Sequence, residues 1–271
     1  MFQQNPFAAL NSVLPPGAMK TYIVVMVLAV IVGTLLDMAH KGSAKYFFAN
    51  MRKKRGKGKP VSAGSIAIQT AVVDVLASGE FCNPKRRLAH LLTMYGFILH
   101  VVSTVVLVFG YPTSAAAAPW TQLWWLGGLM VAVGGYWFWF FIRVDVAAEG
   151  QSPWRFERAD LFVVSLLASV TFGLLWAALQ GGAAGWVLFA LYMLATTVLF
   201  CGVYWSKFAH MFFKPAAAFE KRVSKADGTN NNLPVISRDD PAQRERHSME
   251  LLKDAPMDMG LGIKRDAPRH Y

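Results

Sequence analysis

Formal charge is scarce in this chain. Only 16% of its 271 residues are Asp, Glu, Lys or Arg, whereas 55% are hydrophobic and 13% are aromatic. An average soluble domain has about 25% charged residues. The composition therefore excludes an ordinary soluble enzyme and predicts an integral membrane protein.

Cysteine is also rare, which limits the metal chemistry available to the chain. It has two cysteines, Cys82 and Cys201, whereas iron–sulfur clusters and structural zinc sites usually take more thiolate ligands. The chain alone is therefore not expected to hold either kind of centre. If electrons cross it, we expect them to travel on another cofactor.

The motifs of independent catalytic domains are missing as well. The sequence shows no internal repeat, glycine-rich phosphate loop, paired-carboxylate site or nucleophilic triad. Acidic residues are almost absent from the apolar runs, where Asp37 and Asp160 stand only at the ends. This scarcity argues against a transporter or channel, because ion and proton pathways in membranes need ionisable groups.

Long apolar runs, by contrast, are abundant. Five of them approach or exceed the about 20 residues that cross a bilayer; they are 22–39, 88–110, 120–142, 161–179 and 184–205. Because lipid offers no partner to backbone amides, each run is predicted to be a helix. The predicted fold is an all-α, five-transmembrane-helix bundle over residues 20–215.

The basic residues are distributed unevenly among the connections. Residues 41–89 hold eleven Lys or Arg and residues 206–271 hold twelve, whereas residues 1–19, 111–119 and 180–183 hold none. By the positive-inside rule, this asymmetry predicts a periplasmic N-terminal segment and a cytoplasmic tail in a bacterial inner membrane. The net charge of +11 is thus interpreted first as a topology signal and second as attraction to anionic lipid or an acidic partner, not as nucleic-acid binding.

Two segments outside the apolar runs have a character of their own. Residues 61–81 are moderately apolar with scattered polar groups, which predicts a helix in the membrane interface or on a partner. Residues 216–271 are polar and rich in turn formers, and they lack a periodic apolar pattern. We expect this tail to be disordered or to become ordered on a soluble protein.

Four histidines, His40, His90, His100 and His210, lie in or next to the apolar runs, where an ionisable side chain indicates function. On the predicted helices, His90 and His210 share one depth, and His100 lies roughly 15 Å deeper. Two neutral imidazoles at one depth suit a b-type haem. The alternative is interfacial histidines that hydrogen-bond to lipid headgroups or backbone.

Small residues near this pair favour the haem. Gly96 and Gly202 each lie within two turns of one of the histidines and are expected to make room for a porphyrin face.

His100 has no histidine at its own depth. Met193 and Met130 are the candidate second ligands, but methionine in an apolar helix more often serves packing. Three uses of His100 therefore stay open. It can be a second haem ligand, a hydrogen-bond donor to a quinone, or a core histidine.

Two motifs resemble a known family. RRLAHLLTMYGF at 86–97 and SKFAHMFFKP at 206–215 are similar to segments of the nitrate reductase gamma-subunit superfamily, which includes membrane subunits of quinone-interacting oxidoreductases. The resemblance covers residues 20–215 and is strong only in these two motifs. It implies that His90 and His210 ligate the iron of one haem b and that electrons pass between a quinone and a cytoplasmic partner.

The same resemblance gives His100 the spacing of a second ligand on the second span. ALYMLATT at 190–197 stands where the fifth span of the family has another histidine, so the resemblance does not support a second haem.

A five-helix member without a cysteine-rich ferredoxin domain is similar to the membrane anchors of dissimilatory adenylylsulfate reductases. That resemblance implies a cytochrome b-like anchor that links a soluble flavin and iron–sulfur enzyme of sulfur metabolism to the quinone pool. His40, Arg86, Arg87 and Lys207 are expected near the partner or the quinone. The alternative function is a cofactor-free anchor that only recruits the soluble enzyme.

Overall fold

A computed structural model describes residues 2–41, 49, 58–79, 81, 83–113, 117–145, 150–180 and 182–229. In these ranges every regular element is helical, which confirms the predicted all-α class. The α-helices are α1 (Pro16–Lys41), α2 (Ala63–Gln69), α3 (Pro84–Gly110), α4 (Trp120–Trp137), α5 (Leu161–Ala178), α6 (Gly182–Cys201) and α7 (His210–Ala226). Two of them continue with π-helical geometry, α2 over Thr70–Leu76 and α4 over Phe138–Ile142.

Five helical segments are long and apolar enough to cross a membrane. They are Gly17–His40, Pro84–Gly110, Trp120–Ile142, Arg158–Ala178 and Gly182–Tyr204. The five predicted spans are thus confirmed, with ends that differ by a few residues. The described part of the chain forms two compact units. Of the described residues, those within 1–44, 88–141 and 153–211 form the spanning bundle, and those within 45–87, 142–152 and 212–229 form the polar unit.

Within the spanning bundle, α3 and α4 pack through a row of glycines that we call the glycine seam: Gly96, Gly127 and Gly134. A Cβ atom at Gly127 would lie 2.6 Å from the backbone nitrogen of His100, and one at Gly96 would lie 2.7 Å from the Gly127 carbonyl oxygen. Small residues at such contacts let helix backbones approach closely in lipid. The α3–α4 interface therefore has no room for larger side chains at these glycines.

The N-terminal segment covers one end of this bundle, which we call the capped end. The Asn5 side-chain amide donates hydrogen bonds to the carbonyls of Leu107 and Tyr111, at 3.3 and 2.8 Å. Phe7 is buried, and its ring contacts Trp124 and Trp176 at centroid distances of 5.9 and 5.5 Å. Asn5 thereby satisfies carbonyls at the end of α3 that have no partner within the helix.

The opposite end, which we call the basic end, is where α1 and the fifth span finish and the second span begins. There, the 3-10 turn Gly202–Tyr204 follows α6 and packs on α1. A Cβ atom at Gly33 would lie 3.0 Å from Cβ of Val203. Farther along the same interface, the Tyr22 hydroxyl lies 3.2 Å from the Met193 carbonyl, to which it donates, and 3.0 Å from Thr197 Oγ1.

The polar unit is held together by contacts between α2 and α7. The Arg222 guanidinium pairs with both oxygens of Asp74, with Nη2 and Oδ1 2.9 Å apart. This hydrogen bonding lowers the pKa of Asp74 from its ordinary value. The Lys59 backbone N–H donates to the Asp227 carbonyl at 3.0 Å.

The predicted boundary between the bundle and the polar tail, at residues 215 and 216, falls inside a helix. Pro215 lies within α7, which runs from His210 to Ala226. The rest of the predicted tail, from residue 230, lies outside the described residues. The predicted helix at 61–81 is helical over Ala63–Leu76.

We expect Gly127→Ala to destabilise the bundle by about 1–3 kcal/mol, because the added methyl meets backbone atoms of α3 that cannot rotate away. The measurement is the unfolding midpoint of the purified protein in detergent. Gly17→Ala is the matched control, since a Cβ atom at Gly17 meets nothing within 4 Å. Equal midpoints for the two variants would contradict the close α3–α4 contact.

Candidate functional site

The two histidines of the expected haem pair lie on different kinds of element. His90 is half-buried in the second turn of α3. His210 lies beyond the end of the fifth span at Tyr204 and is the first residue of α7. The chain turns between Trp205 and Ala209, so the side chain of His210 is positioned by this turn.

The turn fixes the orientation of the His210 ring. Its Nδ1 pairs with the carbonyl oxygen of Lys207, and the ring packs edge-on against Phe162, with centroids 5.9 Å apart. A histidine that binds a metal through Nε2 usually donates Nδ1–H to a carbonyl or carboxylate, which fixes the tautomer. His210 therefore has the hydrogen bond that an axial ligand needs.

An aromatic chain connects the helices near these histidines. Phe97 of α3 contacts Phe200 of α6 at 6.4 Å, Phe200 contacts Phe208 at 6.0 Å, and Phe208 contacts Phe162 of α5 at 5.3 Å. His90 lies seven residues before Phe97, which places both on one face of α3. The basic end thus brings together the elements that bear His90 and His210.

The two glycines expected to admit a porphyrin are filled instead. Gly96 belongs to the glycine seam, and a Cβ atom at Gly202 would lie 3.3 Å from Cδ2 of Leu161. Their small size serves helix packing. Glycine content alone does not tell which neighbour occupies the space, so the expected room for a porphyrin stays a prediction.

His100 is the most enclosed of the described histidines, with 6% of its surface exposed. Its Nδ1 lies 2.9 Å from the Trp124 carbonyl oxygen, and its ring lies against the Trp124 indole with centroids 4.6 Å apart. A Cβ atom at Gly128 would lie 3.2 Å from Nδ1, so the glycine makes room for the ring. Sequence reasoning missed Trp124 because it is 24 positions away on another helix.

The contact with Trp124 determines the chemistry of His100. A carbonyl oxygen only accepts, so Nδ1 carries the proton and Nε2 presents a lone pair. Among the described residues, the buried Nε2 atom has no hydrogen-bond partner. A buried nitrogen lone pair of this kind fits an iron atom or a hydrogen-bond donor such as a quinol hydroxyl.

The two methionines considered as second ligands are packing residues. Met193 is half-buried against the aromatic core near the capped end, which includes Trp176 and Tyr192. Met130 packs on α3, with its Cβ 2.7 Å from where a Cβ atom of Gly96 would lie. Both side chains therefore have packing contacts within the spanning bundle.

The residues expected near a partner or quinone lie in two groups. In the spanning bundle, His40 and Lys207 are exposed, and the His40 ring packs edge-on against Tyr204 at 5.8 Å. In the polar unit, Arg87 Nε donates to the Ala77 carbonyl at 2.8 Å, and the Arg86 guanidinium lies 5.7 Å from the Phe81 ring centre.

No protein-family model, curated protein or solved structure matches this chain. The likeness to the nitrate reductase gamma-subunit superfamily therefore stands on the two histidine motifs alone. The described residues contain no cluster of three or more His, Cys, Asp or Glu that could hold a metal ion. A haem needs only two such ligands, so the donor chemistry of the individual histidines is the relevant test.

We predict that His100 in the haem-free protein is the neutral Nδ1–H tautomer, because Nδ1 donates to the Trp124 carbonyl. Nitrogen NMR of protein labelled at histidine measures the protonation of each ring nitrogen, and His100→Gln assigns the signal. A protonated Nε2 at His100 would contradict the described hydrogen bond.

Proposed function

We propose that this chain is a cytochrome b-like, membrane-anchoring electron-transfer subunit. It would link a soluble flavin and iron–sulfur enzyme, of the adenylylsulfate reductase kind, to the quinone pool. The five spans and the absence of any catalytic motif from the sequence support a subunit of this kind over an independent enzyme. The observation that carries the proposal is the hydrogen bond from His210 Nδ1 to the Lys207 carbonyl, at the basic end that also bears His90.

In this proposal His90 and His210 hold one haem b, which supplies a one-electron relay when bound. The Lys207 carbonyl accepts from Nδ1 of His210 and so leaves the lone pair on Nε2. Phe162 packs against the ring and limits its rotation. The lone pair of His100 is then available for a quinol hydroxyl, since the residues give a second haem no second ligand.

The basic residues of the polar unit support docking of a soluble partner. Several lie on α7 or at the start of α3, among them Lys85, Arg86, Lys214, Lys221 and Lys225. Such a surface attracts acidic groups and raises the rate of encounter. In the proposed orientation these cations face the cytoplasm, and the capped end faces the periplasm.

One observation favours the rival function, a cofactor-free anchor. Gly96 and Gly202 are both filled by neighbouring helices, so neither contributes space for a porphyrin. Such an anchor would recruit the soluble enzyme without any chromophore of its own.

The test is a reduced-minus-oxidised spectrum of the chain purified from cells with ample haem. We expect the sharp α band of a b-type cytochrome and a haem-to-protein ratio near one, because only His90 and His210 pair. His90→Ala and His210→Ala should each lose the band, since either leaves the iron with one ligand.

His247→Ala, in the C-terminal tail, is the matched control and should keep the band. A colourless wild-type protein that still recruits the soluble enzyme would contradict the proposal and support the cofactor-free anchor. A ratio near two would show that His100 also has a ligand partner.

The proposed orientation predicts which cysteines a membrane-impermeant maleimide reaches in intact cells. In a background with Ser at positions 82 and 201, Ser12→Cys should react and Lys225→Cys should not. After the cells are broken, both should react. The reverse labelling pattern would show that the topology is inverted and that the proposed docking surface does not face the cytoplasm.

A further inference from the structure

The buried face of α1 contains a carboxylate where its pattern calls for an apolar residue. Met19, Met26 and Gly33 follow one another at intervals of seven residues, and all three are buried. Asp37 stands four residues after Gly33, on the same face of the helix, and is only 1% exposed. Leu35 and Leu36, which flank this face, are exposed as lipid-facing residues would be.

A carboxyl group on the buried face of a spanning helix is a candidate functional group. An ionisable group within a membrane span disfavours insertion, and such groups generally serve function. The same helix offers exposed positions near its end where a carboxylate would remain in water, such as Ala39. Asp37 instead lies on the face that packs against the Gly202–Tyr204 turn, as the close approach of Gly33 to Val203 shows.

Polar groups continue along α1 on both sides of Asp37. One turn toward the basic end, His40 is exposed and its ring packs against Tyr204. One turn toward the bundle interior, the Thr34 hydroxyl is buried, with no hydrogen-bond partner among the described residues. Tyr204 and Cys201 are the titratable side chains of the adjoining turn and helix end. His40, Asp37 and Thr34 therefore form a series of polar side chains along α1, from an exposed imidazole to a buried hydroxyl.

We propose that Asp37 is a proton-relay residue that carries protons between the basic end, through His40, and a quinone in the bundle. This inference rests on the proposed electron-transfer function and adds the route of the protons. His40 can exchange protons with water because its imidazole is exposed. Asp37 is the next group inward that can bind and release a proton.

Protons and electrons balance both for quinone reduction and for quinol oxidation. To reduce one quinone to a quinol, two electrons come from the soluble flavin and iron–sulfur partner. Each of two protons leaves the Asp37 carboxyl group as its O–H bond breaks, and a new O–H bond forms on a quinone oxygen. The carboxylate then takes a proton from the His40 imidazolium, which regains one from water. Quinol oxidation runs the same transfers in reverse.

The test is a redox difference infrared spectrum of the complete complex with quinone, in H2O and in D2O. We expect a carboxyl band that appears or disappears with the quinone bands and shifts to lower frequency in D2O. Asp37→Asn should lose this band and slow quinone turnover about 100-fold. Asp37→Glu should shift the band and restore most of the turnover.

Asp160→Asn is the matched control, because Asp160 also ends a span but caps the backbone N–H of Glu157. It should keep both the band and the turnover. His40→Ala leaves Asp37 in place and should slow the appearance of the band.

An unchanged carboxyl band in Asp37→Asn, with quinone bands intact, would overturn the relay and leave the electron-transfer function standing. The absence of any quinone or haem signal in the wild type would overturn both.

Discussion

The close contact between α3 and α4 determines the surroundings of the buried His100 side chain. Lipid does not drive apolar helices together as water does, so their association depends on shape and on buried polar contacts. The glycine seam brings the two backbones to distances at which a Cβ atom would clash. That approach sets the His100 ring against Trp124 and places Nδ1 at hydrogen-bond distance from the Trp124 carbonyl. The chemistry of the buried histidine thus follows from the packing of two backbones.

The two ends of the spanning bundle differ in the residues that cover them and in the contacts that those residues make. At the capped end, the Asn5 amide donates to carbonyls at the finish of α3, and the Phe7 ring packs against Trp124 of α4 and Trp176 of α5. At the basic end, α6 passes through the Gly202–Tyr204 turn into a second turn that ends at His210. One end is closed by apolar packing, whereas the other contains exposed or half-buried imidazoles. This difference favours exchange of protons and electrons at the basic end.

Hydropathy predicted the spans well because the length of a transmembrane helix is fixed by the bilayer and is a local property of the sequence. Hydropathy could not predict the contact partners of His100, Asn5 and Gly202, because each contact joins residues distant in sequence. The polar character after residue 215 was interpreted as a tail, whereas α7 runs through Pro215 to Ala226, because composition alone does not show where a helix ends. Asp37 was interpreted only as a residue at the end of a span, because sequence position gives depth along a helix but not which face is buried.

The central claim is that the chain relays electrons between a quinol and a soluble enzyme through His90 and His210. Its most direct test is anaerobic mixing of a quinol with the purified, oxidised chain while the α band is followed in time. The account predicts that the band appears in the wild type and in His247→Ala, and is absent from His90→Ala. A haem-loaded wild-type chain that stays oxidised in the presence of excess quinol would contradict it.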